Sequence, residues 1–170
     1  MIRLAQALVV ATLVEVSGTA VAGQEPPVST LPHVRAMDSL AAEVLETAVR
    51  LSPTVAQLVS ELQSSDVIVT VACGKVREGF NGLARVVSAA GGFRHVRVVL
   101  RIPNSRVGLM EVLGHELRHC VEIAGMPEVR DQATMKTAYE RVGVAKAGGG
   151  YFETDAAVRT GALVAREVGR

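Results

Sequence analysis

The pentapeptide His-Glu-Leu-Arg-His at residues 115–119 limits the possible folds of this 170-residue chain more than any other segment. Residues four positions apart lie on the same face of an α-helix, one turn from each other. In a helix, the imidazoles of His115 and His119 can therefore bind one metal ion together. Glu116 lies about 100° around the helix from His115, where its carboxylate can flank the metal and accept a proton from water. The pattern predicts a helix with a metal site on one face.

The flanking residues favour a helix over residues 105–124. Ser105 is a suitable N-cap residue, and apolar side chains repeat at helical spacing as far as Ala124, where Gly-Met-Pro follows. The apolar stripe that includes Leu113 and Leu117 lies on a different face from the two histidines. The alternative interpretation is an ordinary helix whose histidines face solvent.

A catalytic zinc ion needs a third protein ligand and one open position for water. Glu153, which follows a triple glycine at 148–150, is the preferred candidate, because a helix packed across the motif helix can present it to the metal. Glu122 and Asp155 are the alternatives. Glu122 lies about 10.5 Å along the helix axis from His115, so it is better interpreted as a supporting or surface carboxylate. Asp155 is a candidate acceptor for a hydrogen bond from a ligating histidine. Without a metal, Glu153 would simply complement the helix dipole.

The N-terminal residues have the pattern of an export signal. Arg3 precedes an apolar stretch, and Ala-Val-Ala at 20–22 forms a typical cleavage site. The segment is too short and interrupted to be a permanent membrane anchor. We therefore expect a signal peptide at 1–22, a proline-rich linker at 23–33, a single domain at 34–170, and an exported protein, periplasmic or secreted. The alternative is an ordinary N-terminal helix.

Composition narrows the class of protein. Half of the chain is apolar and 21% is charged, as in a globular domain. The formal net charge is +1, and no basic block or aromatic platform supports nucleic-acid binding. Cys73 and Cys120 could form one disulfide in an exported protein or remain as two buried thiols, and the sequence leaves both open.

The predicted order of elements is two helices, three strands and three helices, an α+β layout. The last two strands are joined at Gly91-Gly92 as a hairpin, and the strand before the motif helix could offer an edge to an extended peptide. The predicted bounds are helices over 34–50 and from Pro53 to before Ser64, strands over 67–73, 83–89 and 93–102, then the motif helix and helices beginning near Asp131 and Phe152.

This arrangement resembles the zincin metallopeptidases of the gluzincin type. In particular, it is similar to small exported bacterial zincin-like proteins that pair H-E-L-x-H-x-x-E-[IV]-A with a later F-[ED]-T segment. In this chain the two segments are 115–124 and 152–154. The resemblance covers about residues 66–168 and is specific around those two segments only.

The resemblance implies a small zincin-like domain with a short antiparallel sheet against the motif helix. It also implies zinc-dependent hydrolysis of amide bonds in a peptide or protein substrate. Its implied site consists of His115, His119 and Glu153 as zinc ligands and Glu116 as general base. A non-catalytic exported protein with a structural zinc site is the alternative.

The chain departs from the known patterns in two ways. The glycine and third histidine of metzincins are absent after the motif, and the gluzincin N-E-x-x-S-D segment is not reproduced. The sequence therefore does not identify the group that would stabilise an oxyanion alongside zinc. The available donors are His95, Tyr139 and Tyr151.

Overall fold

The computed structural model describes residues 32–142, 144–145 and 152–169. The expected signal peptide at 1–22, the linker as far as residue 31, and Tyr151 lie outside the described residues. The described part of the chain is an α+β domain, which confirms the expected class. Its elements are β1 (Val34–Ala36), α1 (Ser39–Leu51), α2 (Pro53–Gln63), β2 (Val67–Gly74), β3 (Gly82–Ala90), β4 (Phe93–Arg101), α3 (Arg106–Ala124), α4 (Gln132–Val142), β5 (Val144–Ala145), β6 (Phe152–Glu153) and α5 (Asp155–Val168).

The main sheet is mixed rather than antiparallel. Its strand order is β1-β2-β4-β3, and β2 runs parallel to both β1 and β4. Only the β3–β4 hairpin, which turns at Gly91-Gly92 with positive φ at both glycines, is antiparallel as expected. The hairpin places β4 between β3 and β2, so β2 is flanked by a strand on each edge. The antiparallel expectation was therefore wrong for the pairing of β2 with β4.

The helix expected over 34–50 begins later than the sequence indicates. Val34–Ala36 form β1 along the edge of β2, and Asp38 then caps α1. One carboxylate oxygen of Asp38 accepts from Ala41 N at 2.8 Å and the other accepts from Cys73 N at 2.8 Å. Because Val34–Ala36 pair with β2, these residues form a strand instead of the first turn of the helix. His33, the last residue assigned to the linker, is buried and hydrogen-bonded to Leu62 O, so the folded part includes it.

The core lies between one face of the sheet and the helices. Alternate strand residues such as Val69 and Val98 are fully buried on this face, together with Leu113 and Leu117 of α3. The opposite, outer face of the sheet carries polar and half-exposed side chains. None of the helices in the described part of the chain combines the length and apolar character that a bilayer-spanning segment needs.

A buried arginine fixes the C-terminal end of α3 to the sheet. The guanidinium of Arg94 on β4 donates to the carbonyls of Ile123 and Met126, each at 2.7 Å, and pairs with Asp66 through Nε at 2.7 Å. Its side chain is 2% exposed. Cationic side chains commonly satisfy the last carbonyls of a helix. Arg94 therefore holds the helix that carries the histidine motif at a fixed position over the sheet.

Candidate metal centre

The motif helix forms as the sequence predicts. Ser105 caps α3 by accepting a hydrogen bond from Gly108 N at 3.0 Å. His115 and His119 lie one turn apart on this helix with ring centroids 4.9 Å apart. Their side chains are 22% and 8% exposed, so both rings are held at a largely enclosed position that still meets a cavity.

Glu153 lies beside both histidines. Its Oε1 atom is 3.1 Å from Nε2 of His115 and 3.3 Å from Nε2 of His119. The expected position at the opening of the last helix needs a correction, because Glu153 is in β6 and Thr154 caps α5. The extended backbone before the cap presents the carboxylate to the histidines while α5 packs along α3.

These three side chains could hold a metal ion. The two imidazole nitrogens and the carboxylate oxygen all lie within 4.8 Å of one another. A tetrahedral ion with bonds of about 2.0–2.1 Å keeps neighbouring ligand atoms roughly 3.3 Å apart, close to both distances from Glu153. Among the described residues, no fourth His, Cys, Asp or Glu joins the group.

Two glycines let α3 and α5 approach closely enough to form this group. A Cβ atom at Gly114 of α3 would lie 2.5 Å from Cγ2 of Val164, and one at Gly161 of α5 would lie 3.3 Å from Cβ of His115. Interiors are packed at crystal-like density, so side chains here would push the helices apart. The small residues therefore set the distance between the histidine helix and the segment that carries Glu153.

Glu122 supports the site rather than joining the ligands. Its Oε2 atom accepts from Nδ1 of His119 at 2.9 Å and from the Tyr139 hydroxyl at 3.0 Å, and its Oε1 atom accepts from Thr154 Oγ1 at 2.7 Å. The structure places Glu122 against His119 and outside the group of His115, His119 and Glu153. The side chain of Asp155 is 87% exposed and, among the described residues, lies near Arg159 rather than either histidine. Asp155 lies at the start of α5 and points to solvent. The hydrogen bond with a histidine that was expected for Asp155 is made by Glu122 instead.

The carboxylates around His119 change its acidity. Burial alone would lower the pKa of His119, but hydrogen bonds to Glu122 and Glu153 raise it to about 9. Burial alone would likewise raise the pKa of Glu122, yet hydrogen bonds from His119 and Thr154 lower it. A bond from Nδ1 to Glu122 leaves Nε2 as the nitrogen that faces Glu153 and is available to a metal.

Tyr139 is not placed as an oxyanion donor. Its side chain is buried, and its hydroxyl lies 3.0 Å from Glu122 Oε2 and 3.2 Å from the carbonyl of His119. The hydroxyl is therefore on the Nδ1 side of His119, away from the nitrogen that faces Glu153. Of the other two donors considered, His95 lies on β4 outside the cavity lining and Tyr151 is outside the described residues.

Glu116 borders a cavity of about 320 Å³ together with His115, His119 and Glu153. Its side chain is 5% exposed. A Cβ atom added to Gly82 of β3 would lie 2.6 Å from Oε1 of Glu116. Only glycine fits there, so the edge strand β3 can run directly past this carboxylate.

The sheet edge beside the cavity belongs to β3, which pairs only with β4 within the described residues. The sequence suggested the strand before the motif helix, which is β4, but β4 is an interior strand between β2 and β3. Residues Gly82–Ala84 of β3 line the cavity. An edge strand therefore lies near the site, but it is β3 rather than the expected strand β4.

The two cysteines are free thiols, so the disulfide alternative is wrong. Cys120 is fully buried in α3 against the core, and burial raises the pKa of its thiol. Cys73 is half-buried near the end of β2, where its backbone N–H bonds to Asp38. The core-facing direction of Cys120 explains why it packs as a small apolar residue.

No protein-family model matches the chain, and no curated protein or solved structure matches it. The likeness to gluzincin-type zincins therefore stays a prediction from the two sequence segments. The site geometry stands independently of it.

Proposed function

We propose that this protein is an exported zinc-dependent metallopeptidase that hydrolyses peptide bonds. The observation that carries the proposal is the convergence of His115, His119 and Glu153 beside Glu116 at one cavity. The spacing of the motif and the resemblance to zincins indicate the same four residues. Export rests on the signal-like residues 1–22 and is part of the proposal.

The donor set favours zinc. Two imidazole nitrogens and one carboxylate oxygen are a common ligand set for catalytic zinc, whereas structural zinc sites are usually closed by four protein ligands. When bound, zinc supplies a Lewis acid that acidifies water and polarises a carbonyl group. Three ligands within the described residues are consistent with a site that keeps a position for water.

Glu116 is the proposed proton acceptor. It follows His115 directly in the helix and lines the same cavity, so its carboxylate could take a proton from a water molecule held there. Its side chain is largely enclosed, which strengthens electrostatic interactions with the reacting groups. After accepting the proton from water, Glu116 can transfer it to the leaving amine.

The edge of β3 is the proposed support for the substrate backbone. An extended peptide can add to an exposed strand edge through main-chain hydrogen bonds. Within the described residues β3 pairs only with β4, and its residues Gly82–Ala84 face the cavity. A peptide paired there would pass Glu116 and the three ligands.

Replacement of Glu116 tests the mechanism. We expect Glu116→Gln to bind one zinc per chain but to lose at least about a hundredfold in the hydrolysis of fluorescently labelled casein. Glu111→Gln, a carboxylate on the same helix that also lines the cavity, is the matched control and should keep most of the activity. A chelator should abolish wild-type hydrolysis, and added zinc should restore it.

The outcomes separate hydrolysis from a purely structural zinc site. A structural site is the second candidate, because a metal held by α3 and by the residue before α5 would lock the last helix in place. A structural site would be favoured by zinc binding without hydrolysis, together with an X-ray absorption spectrum of the bound zinc that shows no water ligand. Full activity of Glu116→Gln would contradict the proposed mechanism.

A further inference from the structure

A row of arginines crosses the outer face of the sheet. Strand register places Arg35 of β1 beside Thr70 of β2, Thr70 beside Arg97 of β4, and Arg97 beside Arg85 of β3. Directly opposed residues in neighbouring strands point to the same face. Three arginines therefore start from one line of residues perpendicular to the strands, and the line ends at β3, the outermost strand of the described sheet.

Arg85 and Arg97 form a like-charged cross-strand pair. Such pairs are destabilising when the residues are directly opposite. Both side chains are exposed, and no salt bridge joins either one to a carboxylate of the described residues. The outer surface around Arg85 and Arg97 is therefore positively charged, and no salt bridge within the described part of the chain compensates it.

This charged pair lies near the candidate active site along β3 but on the opposite face of the sheet, because Gly82 faces Glu116 on the helix side. Leu83 lines the cavity, and Arg85 is two residues further along β3 on the same outer face. Gly82, which lies beside Glu116, is three residues from Arg85, or about 10 Å along a strand. A β-bulge between Val86 and Ser88 interrupts the regular register just beyond Arg85. Arg85 is therefore near the last position at which a peptide could pair regularly with β3.

We propose that Arg85 and Arg97 select substrates with an acidic side chain about three residues from the cleaved bond. This inference rests on the proposed peptidase function. A peptide added to the β3 edge would extend the row of the sheet by one strand. Its residue opposite Arg85 would point to the outer face, within about 5 Å of that arginine at Cβ. An Asp or Glu there would compensate the Arg85–Arg97 repulsion, whereas Lys or Arg would add to it.

The expected size of the preference is moderate. An opposite-charge cross-strand pair at an exposed position corresponds to roughly a two- to fivefold change in kcat/KM. Because both partners are exposed, the preference should weaken at high salt. A preference that is independent of ionic strength would not come from this pair.

A peptide library tests the proposal. The zinc-loaded protein would be incubated with a pool of random-sequence peptides, and mass spectrometry would identify the cleaved bonds and the residues around them. We expect Asp and Glu to be enriched about two- to fivefold at one position roughly three residues from the cleaved bond. Arg85→Thr/Arg97→Thr should remove this enrichment without changing zinc content. The matched control, Arg50→Gln/Arg166→Gln, removes two exposed arginines on α1 and α5 and should leave it unchanged.

A charge reversal provides a second variant that does not depend on loss of activity. Arg85→Glu should shift the preference at that position towards Lys and Arg, and it should also form a favourable pair with Arg97. Cleavage by the wild type without any acidic enrichment would overturn this inference alone. Failure of the zinc-loaded wild type to cleave any peptide in the pool would overturn it together with the proposed function.

Discussion

Nδ1 of His119 lies 2.9 Å from Oε2 of Glu122, three residues further along α3. The same carboxylate accepts hydrogen bonds from Tyr139 on α4 and from Thr154, which caps α5. One side chain therefore joins three helices around His119. It also ties Thr154, the neighbour of Glu153, to the helix that carries the histidines. Glu122 thus positions both halves of the metal group.

Removal of this carboxylate should weaken metal binding. We expect Glu122→Ala to lower zinc affinity about 10- to 100-fold, because hydrogen-bond partners of metal ligands fix their orientation. The measurement is a competition titration against a chromophoric chelator. Asp155→Ala removes a neighbouring but exposed carboxylate and should change the affinity by less than about threefold. Equal losses in the two variants would contradict the positioning role of Glu122.

A side chain at Gly82 should impair catalysis with little effect on the ligands. In Gly82→Ala, the new Cβ would lie 2.5 Å from Cγ1 of Val112 and 2.6 Å from Oε1 of Glu116. We expect a loss of about 1–3 kcal/mol in stability and a displaced Glu116, with zinc content retained. Gly74→Ala is the matched control, since its Cβ would make an ordinary 3.7 Å contact with Val99. Comparable activity of the two variants would argue against close approach of β3 to Glu116.

Arg94 should contribute strongly to stability. Arg94→Met removes the guanidinium that donates to the carbonyls of Ile123 and Met126 and pairs with the carboxylate of Asp66. We expect a decrease of about 3–5 kcal/mol in the free energy of unfolding, measured by urea denaturation. The control, Arg97→Met, changes an exposed residue on the same strand and should stay within about 0.5 kcal/mol. A small effect of Arg94→Met would mean that water replaces the guanidinium.

Metal binding should release a proton near neutral pH. The pKa of His119 in the metal-free protein is raised to about 9, so its ring is protonated at about pH 7.5 and must lose a proton to bind zinc. In the metal-free protein, the stability from this raised pKa is complete below about pH 6.5 and is lost as the pH rises through 9. Calorimetric titration in buffers of different ionisation enthalpy should show about one proton released per zinc at pH 7.5 and fewer at pH 10. No release at pH 7.5 would contradict the protonated state.

Local patterns predicted the helices and the site residues because those features depend on nearby residues. The spacing of His115 and His119, the Ser105 cap and the Gly91-Gly92 turn each follow from a few neighbouring positions. Glu153 was selected because it follows a glycine joint in a segment that resembles a known one. The distances from Glu153 to His115 and His119 then test whether it approaches the two histidines.

Features that depend on distant partners could not be predicted in the same way. The parallel pairing of β2 with β1 and β4 is a choice between strands with similar apolar patterns. The short β1 was assigned to a helix because only its pairing with β2 distinguishes it. The bonds from Glu122 to Tyr139 and Thr154 join residues 17 and 32 positions apart. The i,i+3 spacing of Glu122 from His119 was the one local signal of that role.

Zinc titration of the wild type, His119→Ala and Glu153→Ala tests the metal centre most directly. All three proteins would be purified without added metal, treated with a chelator and titrated with zinc in parallel. We expect the wild type to bind one zinc per chain, and each variant to bind it at least about a hundredfold more weakly while keeping its helical circular dichroism. Absence of zinc binding by the folded wild type, or undiminished binding by Glu153→Ala, would contradict the account.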